Sequence, residues 1–315
     1  NASALSDEDG LGEFTYQWAA DGAAITGATS QTYTLTQSEV GKVITVSVSF
    51  TDGEGTSETV TSAETSAVVN VNDAPAGAVT IDGTITQNEE LSANASALSD
   101  ADGLGTFSYQ WKADGEAIEN ATSQTFTLTQ SEVGKAITVD VSYEDQQGTT
   151  ELVTSGATNN VENVNDPATG SVTISGLEAQ GSVLTLDASA VSDQDGLGTF
   201  SYEWFADGVA ISGATETSFT PTQSEVGKPI TVKVSFTDQY ENAEQISSTA
   251  TAEISNINDD PIGSLVIDGT IEEGQTLTIS DNVSDADGIP SEGNGSKSYQ
   301  WYRDGSVIEG EKSAS

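Results

Sequence analysis

The chain has 315 residues, with 50 acidic against 8 basic side chains, a formal charge of −42, and neither histidine nor cysteine. That balance repels nucleic acid phosphates and anionic headgroups, so cations are the natural partners. Without cysteine there is no disulfide, without histidine or cysteine a zinc or copper site lacks the nitrogen and sulfur ligands it favours, and no 18-residue apolar run exists to insert in a membrane as a helix.

The chain repeats. Trp18, Trp111 and Trp204 stand 93 residues apart, and Trp301 follows after 97. Asp7, Asp100 and Asp193 lead Ser-Asp-x-Asp-Gly stretches in the same register, and Glu39, Glu132 and Glu225 share Gln-Ser-Glu-Val-Gly-Lys. This spacing predicts a partial repeat over 1–73 lacking its first strand, complete repeats over 74–166 and 167–259, and a partial repeat over 260–315 lacking its last strands. Such a phase reads as a window from a longer protein.

In chain order, the repeat over 74–166 predicts strand A near 79–81, B near 91–97 and C at 107–111. A short partner C′ follows near 117–118, then E near 125–129, F at 137–143 and G from about 150 to 161. In Phe107-Ser-Tyr109-Gln-Trp111 and in Ile137, Val139, Val141 and Tyr143, apolar residues take every second place, the period of half-buried strands. Asp21-Gly22, Asp114-Gly115, Asp207-Gly208 and Asp304-Gly305 follow each Trp strand and read as tight hairpin turns, not as metal ligands. Seven strands with a Trp on strand C predict an all-β protein of tandem immunoglobulin-like β-sandwich repeats in a linear rod, the Trp residues being core anchors.

That topology places the incoming linker, the B–C loop and the F–G loop at one pole of a repeat, and the E–F corner at the other. The first junction then collects Glu39, Asn70, Asn72, Asp73, Asp100, Asp102 and Asp145. The second collects Glu132, Asn163, Asn165, Asp166, Asp193, Asp195 and Asp238, and the third Glu225, Asn256, Asn258, Asp259, Asp285 and Asp287, with Asp260 beside them. All are oxygen donors without a basic partner, and calcium is the hard ion that takes about six to eight oxygens in flexible geometry. Read singly, Asn-Asp-x-Pro and Asp-x-Asp-Gly are also ordinary solvated turns.

Asn70-Val-Asn72-Asp73-Ala-Pro75 followed by Asp100-Ala-Asp102 resembles the calcium-binding linker of cadherins, with Asn70 where cadherins usually carry Asp. The whole repeat is similar to the tandem extender modules of giant RTX-type bacterial adhesins. The resemblance implies type I secretion, an extracellular place at the bacterial surface, and a role in attachment or biofilm formation. Calcium ions and neighbouring repeats are the expected partners, other copies or cell-surface ligands further ones, and nucleic acid or membrane insertion none. A structural spacer is the first reading, and a module binding a carbohydrate or cell-surface protein is the alternative. An enzyme acting through pairs such as Asp100 and Asp102 is set aside, because the pair recurs in each repeat without a nucleophile–base arrangement.

Overall fold

The structure, a computed structural model, describes residues 2–293 and 296–314, and is built of short antiparallel strands. Residues 1–73 contribute β1 (Thr15–Ala20), β2 (Ala23–Ala24), β3 (Ile44–Thr51) and β4 (Ser57–Thr61), ordered β2-β1-β3-β4. The next stretch contributes β5 (Thr80–Asp82), β6 (Glu90–Asn94), β7 (Ser108–Ala113), β8 (Glu116–Ala117), β9 (Thr125–Thr127), β10 (Ile137–Glu144) and β11 (Thr150–Thr154). Two sheets result, β8-β7-β10-β11 and β5-β6-β9. The third stretch repeats them as β12 (Thr173–Ser175), β13 (Leu184–Asp187), β14 (Ser201–Ala206), β15 (Val209–Ala210), β16 (Ser218–Phe219), β17 (Ile230–Thr237) and β18 (Ala243–Ser247), in sheets β15-β14-β17-β18 and β12-β13-β16. Last come the pairs β19 (Leu265–Asp268) with β20 (Thr278–Asp281) and β21 (Tyr302–Arg303) with β22 (Ser306–Val307). By contacts the chain divides into two compact units, Asn1–Val164 and Asn165–Ser315.

Alternation decides which face is buried. On β10, Ile137, Val139, Val141 and Tyr143 point into the core, while Thr138, Asp140 and Ser142 point away. Leu91, Leu128 and Trp111 complete a cluster drawn from both sheets, which makes the pair a sandwich of the immunoglobulin kind. Trp111 is fully buried, stacks on Phe126 at 5.8 Å and donates its indole N–H to the Ser123 carbonyl at 2.9 Å. Trp204, also fully buried, lies tilted against Phe219 at 5.6 Å and donates its indole N–H to the Glu216 carbonyl at 2.9 Å.

The Asp-Gly turns are structural, as the sequence predicts: Asp114 and Asp207 both adopt φ 49°, and the Asp114 carboxylate accepts from the Ala136 N–H at 3.0 Å. Three strands are shorter than expected, E ending at Thr127 ahead of the turn capped by Thr129. Strand B stops at Asn94, whose carbonyl oxygen Oδ1 accepts from the Ser96 N–H and hydroxyl and turns the chain. Strand G stops at Thr154, because the Ser155 hydroxyl accepts from the Val139 N–H at 3.0 Å and interrupts the ladder. Beyond Thr154 the chain keeps single backbone bonds to β10, from the Ser155 and Thr158 N–H groups, and bridges again at Asn160 with Ala136 and at Val161 with Val133. Trp18 and Trp301 are half-buried, unlike Trp111 and Trp204.

Candidate metal centre

The B–C loop begins at the Asp-x-Asp-Gly motif. In each repeat the second Asp N–H donates to the first carboxylate: Asp102 to Asp100 Oδ1 at 2.8 Å, Asp195 to Asp193 Oδ1 at 2.8 Å, and Asp287 to Asp285 Oδ1 at 2.9 Å. Two residues beyond the motif's glycine, another glycine lets the loop lie on the end of strand F. A Cβ at Gly105 would sit 1.9 Å from the Glu144 carbonyl oxygen, and one at Gly198 1.9 Å from that of Thr237. The loop is thereby pressed against the F–G turn, where the Asp145 carboxylate accepts from the Gln147 and Thr149 N–H groups, and Asp238 from those of Tyr240 and Asn242.

In the third repeat this brings Asp193, Asp195 and Asp238 together, each offering a carboxylate oxygen within 4.8 Å of the others. Asp195 is 2% exposed and Asp238 7%. Among the described residues, Asp193 Oδ2 and Asp195 Oδ1 are buried with no hydrogen-bond partner. Burial pushes the Asp193 carboxyl above the usual carboxylate range, opposed by the Asp195 N–H, and the charges of Asp195, Glu244 and Asp238 push it further. The ion pairs among the described residues, Lys112 with Asp140, Lys233 with Glu203 and Lys297 with Asp281, lie elsewhere. Like charges brought together and dehydrated are costly, and a hard cation relieves both costs.

The linker reaches each cup through its backbone. The N–H of Asp73 donates to Asp102 Oδ2 at 2.7 Å, that of Asp166 to Asp195 Oδ2 at 2.7 Å, and that of Asp259 to Asp287 Oδ2 at 2.8 Å. Asn70 Oδ1 and Asn163 Oδ1 are buried with no partner among the described residues. Asn72 and Asn165 donate their side-chain amides to Glu151 and Glu244 at 2.8 and 2.9 Å, while Asn258 donates to the Asp259 carbonyl. Asn256 and Asp260 are exposed.

Glu39, Glu132 and Glu225 are buried on short 3-10 turns and each completes a capping box. The N–H and hydroxyl of Thr36 both donate to Glu39 Oε2, at 2.9 and 2.8 Å, and Thr129 and Thr222 serve Glu132 and Glu225 alike. Donation from the Thr36 N–H holds the Glu39 carboxyl below its usual range. The signal for this role is Thr-x-x-Glu, legible in the sequence. In the first unit, Gln37 on the same turn donates to Asp102 Oδ1 at 2.5 Å, so a neutral amide crosses from the first repeat to the second.

Several site residues lie outside the junction sets expected from the sequence, although Asp7 and Asp9 carry the same Asp-x-Asp-Gly motif. Asp7, Asp9 and Asp52 form a second carboxylate trio within 4.8 Å, one 93-residue period before Asp100, Asp102 and Asp145. Gln87 accepts from the Val164 N–H at 3.0 Å, and Gln180 donates to Asp259 Oδ2 at 2.7 Å, so a glutamine of the upstream repeat holds each outgoing linker. The register was the available signal for all of them.

No protein-family model and no curated protein matches the chain. Among solved structures it is similar to a Ca2+-stabilized adhesin that helps an Antarctic bacterium reach out and bind ice, at 14% identity, TM-score 0.29, over 86% of this chain and 71% of the other. It is also similar to a 1.5-MDa bacterial ice-binding adhesin, at 13% identity, TM-score 0.26, over 80% and 89%. A tetra-tandem repeat from the extending region of a large adhesion protein matches at 18% identity, TM-score 0.28, over 88% and 80%. Likenesses of this size carry no functional weight, and the case for function stands on the carboxylate geometry.

Proposed function

We propose that the chain is a calcium-dependent extender: tandem sandwich repeats, bounded near 74–166 and 167–259, that hold a bacterial surface adhesin away from the cell for attachment or biofilm formation. The observation that carries this reading is the Asp193–Asp195–Asp238 cup, with Asp195 and Asp238 buried, whose orphaned oxygens lie in the same loop that accepts the linker N–H of Asp166. An ion there would be held by both carboxylate loops of the repeat and would tie down the linker entering it. Export by type I secretion and an extracellular place belong to the same proposal, as do neighbouring repeats as partners and the absence of enzymatic activity.

Small-angle scattering of the whole chain tests it. The maximum dimension should rise in millimolar calcium relative to chelator, with far-UV dichroism unchanged. Substituting Asp193→Ala and Asp195→Ala should reduce that difference. Identical scattering in calcium and chelator would remove the stiffening mechanism.

A further inference from the structure

The second and third repeats carry the same acidic loops and satisfy their carboxylates differently. Asp100 Oδ1 and Asp193 Oδ1 each accept the N–H of the second Asp in the motif at 2.8 Å. The other oxygens part ways. Asp193 Oδ2 is buried with no partner among the described residues, whereas Asp100 Oδ2 accepts from the Tyr143 hydroxyl at 2.5 Å. One side chain is responsible. Phe236 stands one 93-residue period beyond Tyr143 on the matching strand, and packs on Phe200 at 5.4 Å as Tyr143 packs on Phe107 at 5.6 Å. Both rings pack against the matching phenylalanine, and the hydroxyl is what reaches Asp100. At the third carboxylate the difference runs the other way, Asp145 Oδ2 being buried with no partner among the described residues while Asp238 Oδ2 accepts from the Asn242 side-chain amide at 2.9 Å.

The same contrast holds at the second carboxylate. Asp102 is 3% exposed and its Oδ1 accepts from Gln37, while Asp195 is 2% exposed and its Oδ1 has no partner among the described residues. Two oxygens that are orphaned in the third repeat are thus satisfied by neutral donors in the second. Asp193, Asp195 and Asp238 converge within 4.8 Å, and among the described residues Asp100, Asp102 and Asp145 do not form such a trio. A short hydrogen bond to an ionised carboxylate is of the strong, charge-assisted type, and a cation seeking that oxygen must compete with it.

We propose that the residue at position 143 or 236 sets the order in which the repeats take up calcium: the Asp193 cup fills at lower calcium, and the Asp100 cup, held by the Tyr143 hydroxyl, fills later. This rests on the calcium reading above and adds what grades it. The purpose served is a stalk whose segments respond at different calcium levels although their backbones are near copies.

The test is calorimetric calcium titration of the whole chain as wild type, Tyr143→Phe and Phe236→Tyr, with Asp195→Asn marking which binding class belongs to the third repeat. Tyr143→Phe should tighten the second repeat's class about tenfold, and Phe236→Tyr should weaken the third repeat's class about tenfold, the scale of one charge-assisted hydrogen bond. Each variant supports or overturns the idea independently if the other fails to fold. Calcium uptake with both classes unmoved overturns the grading and leaves the calcium reading intact. Weaker binding in Tyr143→Phe also overturns it, since the hydroxyl would then be orienting Asp100 for the ion. No uptake by the wild type removes the calcium reading and the grading together.

Discussion

Residues 1–73 and the repeat that follows share nearly the same letters, yet their cores and their carboxylate loops behave independently. In the first stretch β1 and β3 pair over six residues with no facing sheet among the described residues, and Trp18 is half-buried. In the second, β5, β6 and β9 lie across from β7 and β10, and Trp111 is fully buried. Asp7, Asp9 and Asp52 nevertheless gather within 4.8 Å of one another. The cup is therefore a product of one sheet and its loops, whereas the core requires two.

The largest effect should come from the core side of this comparison. Trp111→Ala and Trp204→Ala should each destabilise their own repeat by about 3 to 5 kcal/mol, the range for a buried large aromatic, and Trp18→Ala by clearly less. Hydrogen exchange followed by mass spectrometry reads each repeat separately in the whole chain. Equal losses of protection around all three tryptophans would break the distinction between a closed and an open sandwich.

Next in size is the cup. Calcium at a hundred times its dissociation constant should stabilise the third repeat by about 2.7 kcal/mol through mass action. Asp193→Ala with Asp195→Ala should abolish that gain while leaving the Trp204 core in place, because cup and core are separate. Exchange protection of β17 with calcium and with chelator is the measurement.

Gln37→Ala tests the neutral bridge to Asp102. It leaves a buried carboxylate oxygen without its donor, at a cost of about 1 to 2 kcal/mol without calcium. The loss should appear as faster exchange in the loop around Asp102, and calcium should offset part of it. Unchanged exchange would make the bridge incidental.

The smallest effect is on acid stability. The Glu39 carboxyl sits below its usual range in the folded chain, chiefly because the Thr36 N–H donates to it. A depressed folded value means the contribution is fully present above the ordinary glutamate value of about 4.3 and is lost as pH falls through the depressed one. Glu39→Gln should flatten the acid limb of the first repeat's exchange protection, with little change at neutral pH.

How far the sequence could be read differs between these same features. The 93-residue period, the alternation along β10 and the Asp-Gly turns made the sandwich, its Trp cores and its hairpins legible, because each depends on local geometry repeated in register. The B–C loop and F–G loop were placed at one pole by topology alone, and their carboxylates do meet in the third repeat. The end of strand G at Thr154 was hidden, since a serine hydroxyl taking a ladder N–H leaves no periodic trace.

By itself the sequence determined the all-β repeat, its acidic loops and the oxygen chemistry those loops offer, for these follow from composition, period and turn residues. Only the tertiary structure decided which oxygen of each carboxylate is spent. Glu39 gives one to its capping box, Asp100 gives one to Tyr143, and Asp193 keeps one. The physical reason is that a hydrogen bond depends on ångström-scale approach between groups distant in the chain: Tyr143 lies 43 residues from Asp100, and Gln37 lies 65 from Asp102. A motif specifies which donors and acceptors are present, and packing selects which of them meet.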